Sequence, residues 1–218
     1  MDADTFPDAI RTAKATELDR LGSQQALVAL TDADLDTEQV LRAAARSEHT
    51  ASETFSEWAE SATVDGEKEG DGATDAAETF AALAEQERDH YDRVAAELDA
   101  EFEVAGEIDS MHEYLRDLDT AVEWAAGLVG RSLASDRTQL QVVNFFVNEA
   151  DERRADLFRD LRSDTQAGVS TGADLLADRC DGDDWERAME VAERTVQIAY
   201  DEYAETLEGM GLDPKPIC

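Results

Sequence analysis

Ala84-Glu85-Gln86-Glu87-Arg88-Asp89-His90 is the stretch on which the reading of this chain turns. It sits inside a segment whose apolar residues, Phe80, Leu83, Ala84, Tyr91, Val94 and Leu98, recur at helical spacing. Residues three apart share one face of a helix. Glu87 and His90 have that spacing and occupy stripe positions where another leucine is expected. A carboxylate and an imidazole are therefore predicted to point into a helical core. An ionised group there needs a metal ion, a basic side chain or a shifted proton to offset its lost hydration.

Upstream, Asp36 and Gln39 have capping-box spacing and open a helix predicted to run to about Ser61. Its stripe is Leu41, Ala44, Ala45, Ala51, Phe55, Trp58 and Ala59, with Glu48 inside it. Residues Thr63 to Thr74 are glycine-rich and acidic with no apolar period, which predicts an exposed loop. Asp75 and Glu78 then cap the helix of Glu87 and His90, which ends near Asp99. Residues 7 to 30 read as an N-terminal helical arm with Ile10, Leu18, Leu21 and Leu27 on its apolar side and Gly22 as a break.

Downstream, Ser110 and Glu113 open a third helix with the stripe Leu115, Leu118, Val122, Ala125, Ala126, Val129 and Leu133. No acid lies squarely on it, and Glu123 is one position off. A tight turn follows. Asp136 and Gln139 cap a fourth helix running past Leu140, Val143, Val147, Leu157 and Phe158 to Leu161, and Asp151 and Arg154 fall within its stripe. Ser163 to Asp184, with Gly168, Gly172 and Gly182, reads as a loop containing a short turn near Leu175. The final helix runs from Trp185 to about Met210 and must cover either its own bundle or a partner subunit, a second copy in a homodimer. The tail Pro214 to Cys218 is expected to fray.

Four helices of about 25 residues are each about 37 Å long and, joined by short connections, pack antiparallel. Glu48, Glu87, His90, Asp151 and Arg154 then lie near the middle of their helices and converge on one level. The predicted organisation is all-α: an arm over 1–35, a four-helix bundle over 36–163, and a loop with a final helix over 164–218.

Composition narrows the partners. The chain has 218 residues, a formal charge of −34 and lysine only at Lys14, Lys68 and Lys215. Acids spread along every segment resemble the hydrated surfaces of cytosolic proteins from extreme halophiles. Such a field repels phosphate, so neither nucleic acid nor an anionic membrane is an expected partner. Cys180 and Cys218 form no Cys-x-x-Cys pair and are read as two reduced thiols, which excludes a zinc ribbon. The N-terminus carries no basic region followed by an apolar core, and the longest uncharged apolar stretch, near Trp124 to Val129, is too short for a bilayer. A cytoplasmic location is expected. No phosphate loop, nucleophile elbow or nucleotide fingerprint is present, so transfer and hydrolysis chemistries have no support.

The Glu87-x-x-His90 helix, together with Glu48, Ala51, Phe55, Trp58 and Ala59, resembles the rubrerythrin-like branch of the ferritin-like proteins, over about residues 36 to 163. The resemblance implies an antiparallel four-helix bundle around a di-iron site. It makes Glu48 a terminal carboxylate, Glu87 a bridging carboxylate and His90 an imidazole ligand. The second half departs from the pattern. In the best register, set by Phe158, its Glu-x-x-His becomes Asp151-x-x-Arg154, and arginine cannot bind a metal cation. The carboxylate of the third helix is missing unless Glu123 rotates into the role. Glu48, Glu87 and Asp151 balance one divalent ion plus Arg154, so one ion of iron or manganese is expected rather than two, or none. With a metal, the resemblance implies an oxidase or peroxidase fed by an unknown electron donor. Without one, Arg154 pairs with Glu87 and Glu48, and the bundle acts through its surface or an oligomeric interface. His49, about 100° around the helix from Glu48, and His112, in a first helical turn, are expected to face solvent. Tyr91 is expected to pack beside His90.

Overall fold

The computed structural model describes residues 1–69, 71–100, 102, 104, 106 and 108–214, with 63–69 and 71–75 described by backbone alone. The tail expected to fray lies, from residue 215 on, outside the described residues, as do Cys218 and the side chain of Asp75. The described chain is all-α. Its helices are α1 (Phe6–Ala13), α2 (Ala15–Leu21), α3 (Gln25–Leu30), α4 (Thr37–Glu69), α5 (Asp71–Ala95), α6 (Ser110–Arg116), α7 (Ala121–Asn148), α8 (Glu152–Ala177) and α9 (Asp184–Gly209). They fall into two compact units: Asp36–Trp124, and Met1–Leu35 with Ala125–Cys218.

In the first unit α4 and α5 pack along their length, and α6 packs on α4. Asp36 opens α4 as the sequence predicts, its carboxylate accepting from the Gln39 N–H at 2.8 Å. Phe55, Trp58, Phe80 and Trp124 form a buried aromatic chain with centroids 5.4, 5.2 and 6.2 Å apart. Each such side chain contributes about 1.5–3 kcal/mol by leaving water. Both indole N–H groups are satisfied by carbonyls, Trp58 donating to Leu115 and Trp124 to Leu118. The loop expected over Thr63 to Thr74 is instead helical on both sides of residue 70: Glu67, Lys68 and Glu69 favour helix, and Gly66 and Gly72 are carried within α4 and α5.

The expected third helix divides. α6 ends at Arg116 and α7 starts at Ala121, set off by a Thr120-x-x-Glu123 capping box. Glu123 accepts from the N–H groups of Asp119 and Thr120 at 3.1 Å, and Thr120 accepts from the Glu123 N–H. In the other unit the turn expected after Leu133 is absent. α7 continues through Asp136, whose carboxylate is held by Arg162 at 2.9 Å and Gln166 at 2.8 Å. The true break comes at Glu149-Ala150-Asp151. Ala150 takes a φ of 56°, its N–H bonds to Val147, and the Asp151 N–H bonds to Phe146, a Schellman closure with alanine where glycine is usual.

Most of the loop expected from Ser163 to Asp184 is α8. Its glycines serve close approach: a Cβ on Gly172 would lie 2.7 Å from the Val129 side chain and 2.8 Å from the Ala125 carbonyl of α7. α9 matches the predicted final helix and covers its own chain, packing on α1, α2 and α3 with Tyr203 and Leu207 buried. The single arm expected over residues 7 to 30 is three short helices. No helix among the described residues is long and apolar enough to cross a membrane.

Candidate metal centre

Glu48 lies on the face of α4 that also buries Ala44, Ala45, Ala51 and Phe55, and Glu87 and His90 lie on the face of α5 that buries Phe80, Ala84 and Val94. The antiparallel hairpin brings them together. Glu48, Glu87 and His90 are 2 %, 4 % and 1 % exposed, and each offers a ligand atom within 4.8 Å of the other two. Among the described residues this is the group of His, Cys, Asp or Glu able to hold a metal ion. His90 Nδ1 stands 3.7 Å from Glu48 Oε2 and 3.5 Å from Glu87 Oε2.

The two spacings to His90 are a few tenths of an ångström wider than those around a bound ion, so the side chains must close in to hold one. Ligand atoms at adjacent corners around an ion with bonds of about 2.1 Å are themselves about 3.0–3.4 Å apart. Two carboxylates and an imidazole, with no thiolate, suit iron or manganese among first-row ions. Without a metal the imidazole carries the positive charge. Burial pushes its pKa down, but hydrogen bonding and charge from Glu48 and Glu87 outweigh that and hold it up at about 10.

The other candidates have different surroundings. Asp151 is the N-cap of α8: it accepts from the Arg154 N–H at 3.0 Å and pairs with the Arg154 guanidinium at 3.0 Å. Both residues belong to the second compact unit and stand at a helix start rather than mid-helix. Asp151 is not among the three grouped ligands, and neither is Glu123, which caps α7.

His49 is half-buried and lies edge-on to Tyr91 at 5.3 Å. Tyr91 donates to the Phe102 carbonyl. His112 corrects the expectation of exposure. It is 1 % exposed, with Nδ1 2.9 Å from Thr54 Oγ1. Thr54 gives its one proton to the Thr50 carbonyl and also accepts from Arg116, so His112 donates from Nδ1. That is a clamp of α6 on α4. Ser52 and Arg131 are among the buried polar residues that the sequence motifs do not single out. Ser52 lies one turn beyond Glu48 on the same stripe, which is the signal that points to it; Arg131, 2 % exposed, lies between the buried Val129 and Leu133 of α7.

Comparison with protein-family models, with curated proteins and with solved structures finds no match for this chain.

Proposed function

We propose that this chain binds one divalent cation, iron or manganese, through Glu48, Glu87 and His90, and serves a redox-linked role of the rubrerythrin-like kind within a ferritin-like bundle. The observation that carries the reading is the burial of three ligand atoms within 4.8 Å on one helical hairpin. Two carboxylates neutralise a divalent charge, and the imidazole adds a neutral donor. With three grouped ligands among the described residues, one ion is favoured over two. Such an ion supplies one-electron chemistry at a point screened from bulk water. Glu48 and Glu87 balance its charge, and His90 gives up a proton to bind it.

A second reading is favoured by the raised pKa of His90. In it the imidazolium stays between Glu48 and Glu87 as a buried ion-paired cluster, and the protein acts through its surface. Metal analysis separates the two. Protein produced in high salt with iron and manganese is expected to carry about one ion per chain, lost in Glu87→Ala. Oxygen consumption on adding ferrous iron then tests the redox role. Metal-free wild-type protein that takes up neither ion overturns the proposal.

A further inference from the structure

The ligands come from two helices, Glu48 from α4 and Glu87 with His90 from α5, so any slide of one helix along the other pulls the set apart. A slip of one residue is about 1.5 Å. Metal bonds tolerate about 0.2 Å. Beside the site a groove between α4 and α5 is lined by Ser56, Ala59, Ala81, Ala84, Glu85 and Arg88, and farther along the hairpin Trp58 of α4 packs against Phe80 of α5. Apolar packing sets the register only through shape, whereas a hydrogen bond across the hairpin is directional. The Ser52 hydroxyl, 3 % exposed, supplies one by donating to the Ala84 carbonyl at 3.0 Å. Ser52 is four residues after Glu48 and Ala84 three before Glu87, so this bond ties the ligand-bearing turns to each other.

We infer that Ser52 is a positioning residue for the metal site, fixing the axial register of α4 on α5. The inference rests on the proposed metal-binding function. Ser56 provides the control, because its hydroxyl donates within α4, to the Ser52 carbonyl at 2.8 Å. Mn2+ titrations of wild type, Ser52→Ala and Ser56→Ala in high salt, read by the electron paramagnetic resonance of free and bound ion, test it. Ser52→Ala is expected to bind about tenfold more weakly. Ser56→Ala is expected to match wild type. Thermal unfolding of the metal-free variants reports any purely structural loss. If Ser52→Ala melts earlier but binds Mn2+ like wild type, the inference fails while the metal site stands. If wild type does not bind Mn2+ or ferrous iron, the functional proposal fails and takes the inference with it. Should Ser52→Ala not fold, Ser52→Cys, which keeps the volume with a much weaker donor, takes its place with the same expectation of weakened binding.

Discussion

Glu87-x-x-His90 and Asp151-x-x-Arg154 are built alike, an acid and a base at i and i+3, yet the structure uses them in opposite ways. The first pair lies in the interior of a 25-residue helix, where every backbone N–H has a helical partner and the side chains are free to face the core. The second straddles a helix start, where orphan N–H groups draw the acid back onto the main chain. Glu87 and His90 are accordingly buried, whereas Asp151 keeps 28 % and Arg154 22 % of the side chain exposed. Position relative to a helix end, more than residue type, decides which acid can serve a metal.

The comparison breaks most sharply on metal binding. His90→Ala and Glu87→Ala are each expected to weaken Mn2+ by at least about 100-fold, the loss of a direct ligand exceeding that of an outer partner. Asp151→Ala is expected to leave the affinity unchanged. A loss of binding in Asp151→Ala would show that the carboxylate leaves its cap to join the site.

Stability is the next difference. In metal-free protein at neutral pH, His90→Ala strands two buried carboxylates and is expected to cost about 3 kcal/mol in chemical denaturation. Replacing Glu48, Glu87 and His90 together by leucine removes the charges as a set and is expected to cost less than His90→Ala alone. A triple variant less stable than the single one would mean that the cluster holds the hairpin together rather than being tolerated by it.

The hairpin was legible because its signals agree: Glu48, Glu87 and His90 interrupt otherwise regular apolar stripes, and Asp36 caps where a cap was expected. The rest was lost at helix ends. Ala150 turns the chain without a glycine, so nothing in composition marked the break that made Asp151 a cap. Gly168 and Gly172 carried the opposite error: they suggested a loop, but they sit inside α8, at Gly172 against the backbone of α7. Glu123 carries two competing signals: Thr-x-x-Glu is a capping box, which the structure uses, and the same residue lies one position off an apolar stripe. Burial of His112 and Arg131 depends on which helices pack over them, which local pattern does not encode.

The two pairs also titrate on opposite sides of neutrality. The folded pKa of His90, about 10, lies above its ordinary value near 6.5, so its contribution to stability is complete below about pH 6.5 and is lost as pH rises through 10. Metal-free wild type is expected to melt progressively earlier across that window, and His90→Ala to lose that part of the slope. Mn2+ must displace the proton, so titration at pH 8 in weak buffer is expected to release about one proton per ion bound. Binding without proton release would place a neutral His90 in the metal-free protein.

Asp151 gives the smallest and opposite effect. The Arg154 N–H, and after it the Arg154 guanidinium, hold its carboxyl below the ordinary value. Its contribution is therefore present above about pH 4 and is lost as pH falls through the folded value. Wild type and Asp151→Ala are expected to differ most in melting temperature at neutral pH and to converge in acid, while both keep the alkaline slope that His90 imposes. Asp151→Asn separates cap from charge: asparagine can still accept from the Arg154 N–H, so a melting temperature close to wild type at neutral pH would assign the pair to helix capping. A drop as large as that of alanine would assign it to the ion pair with Arg154.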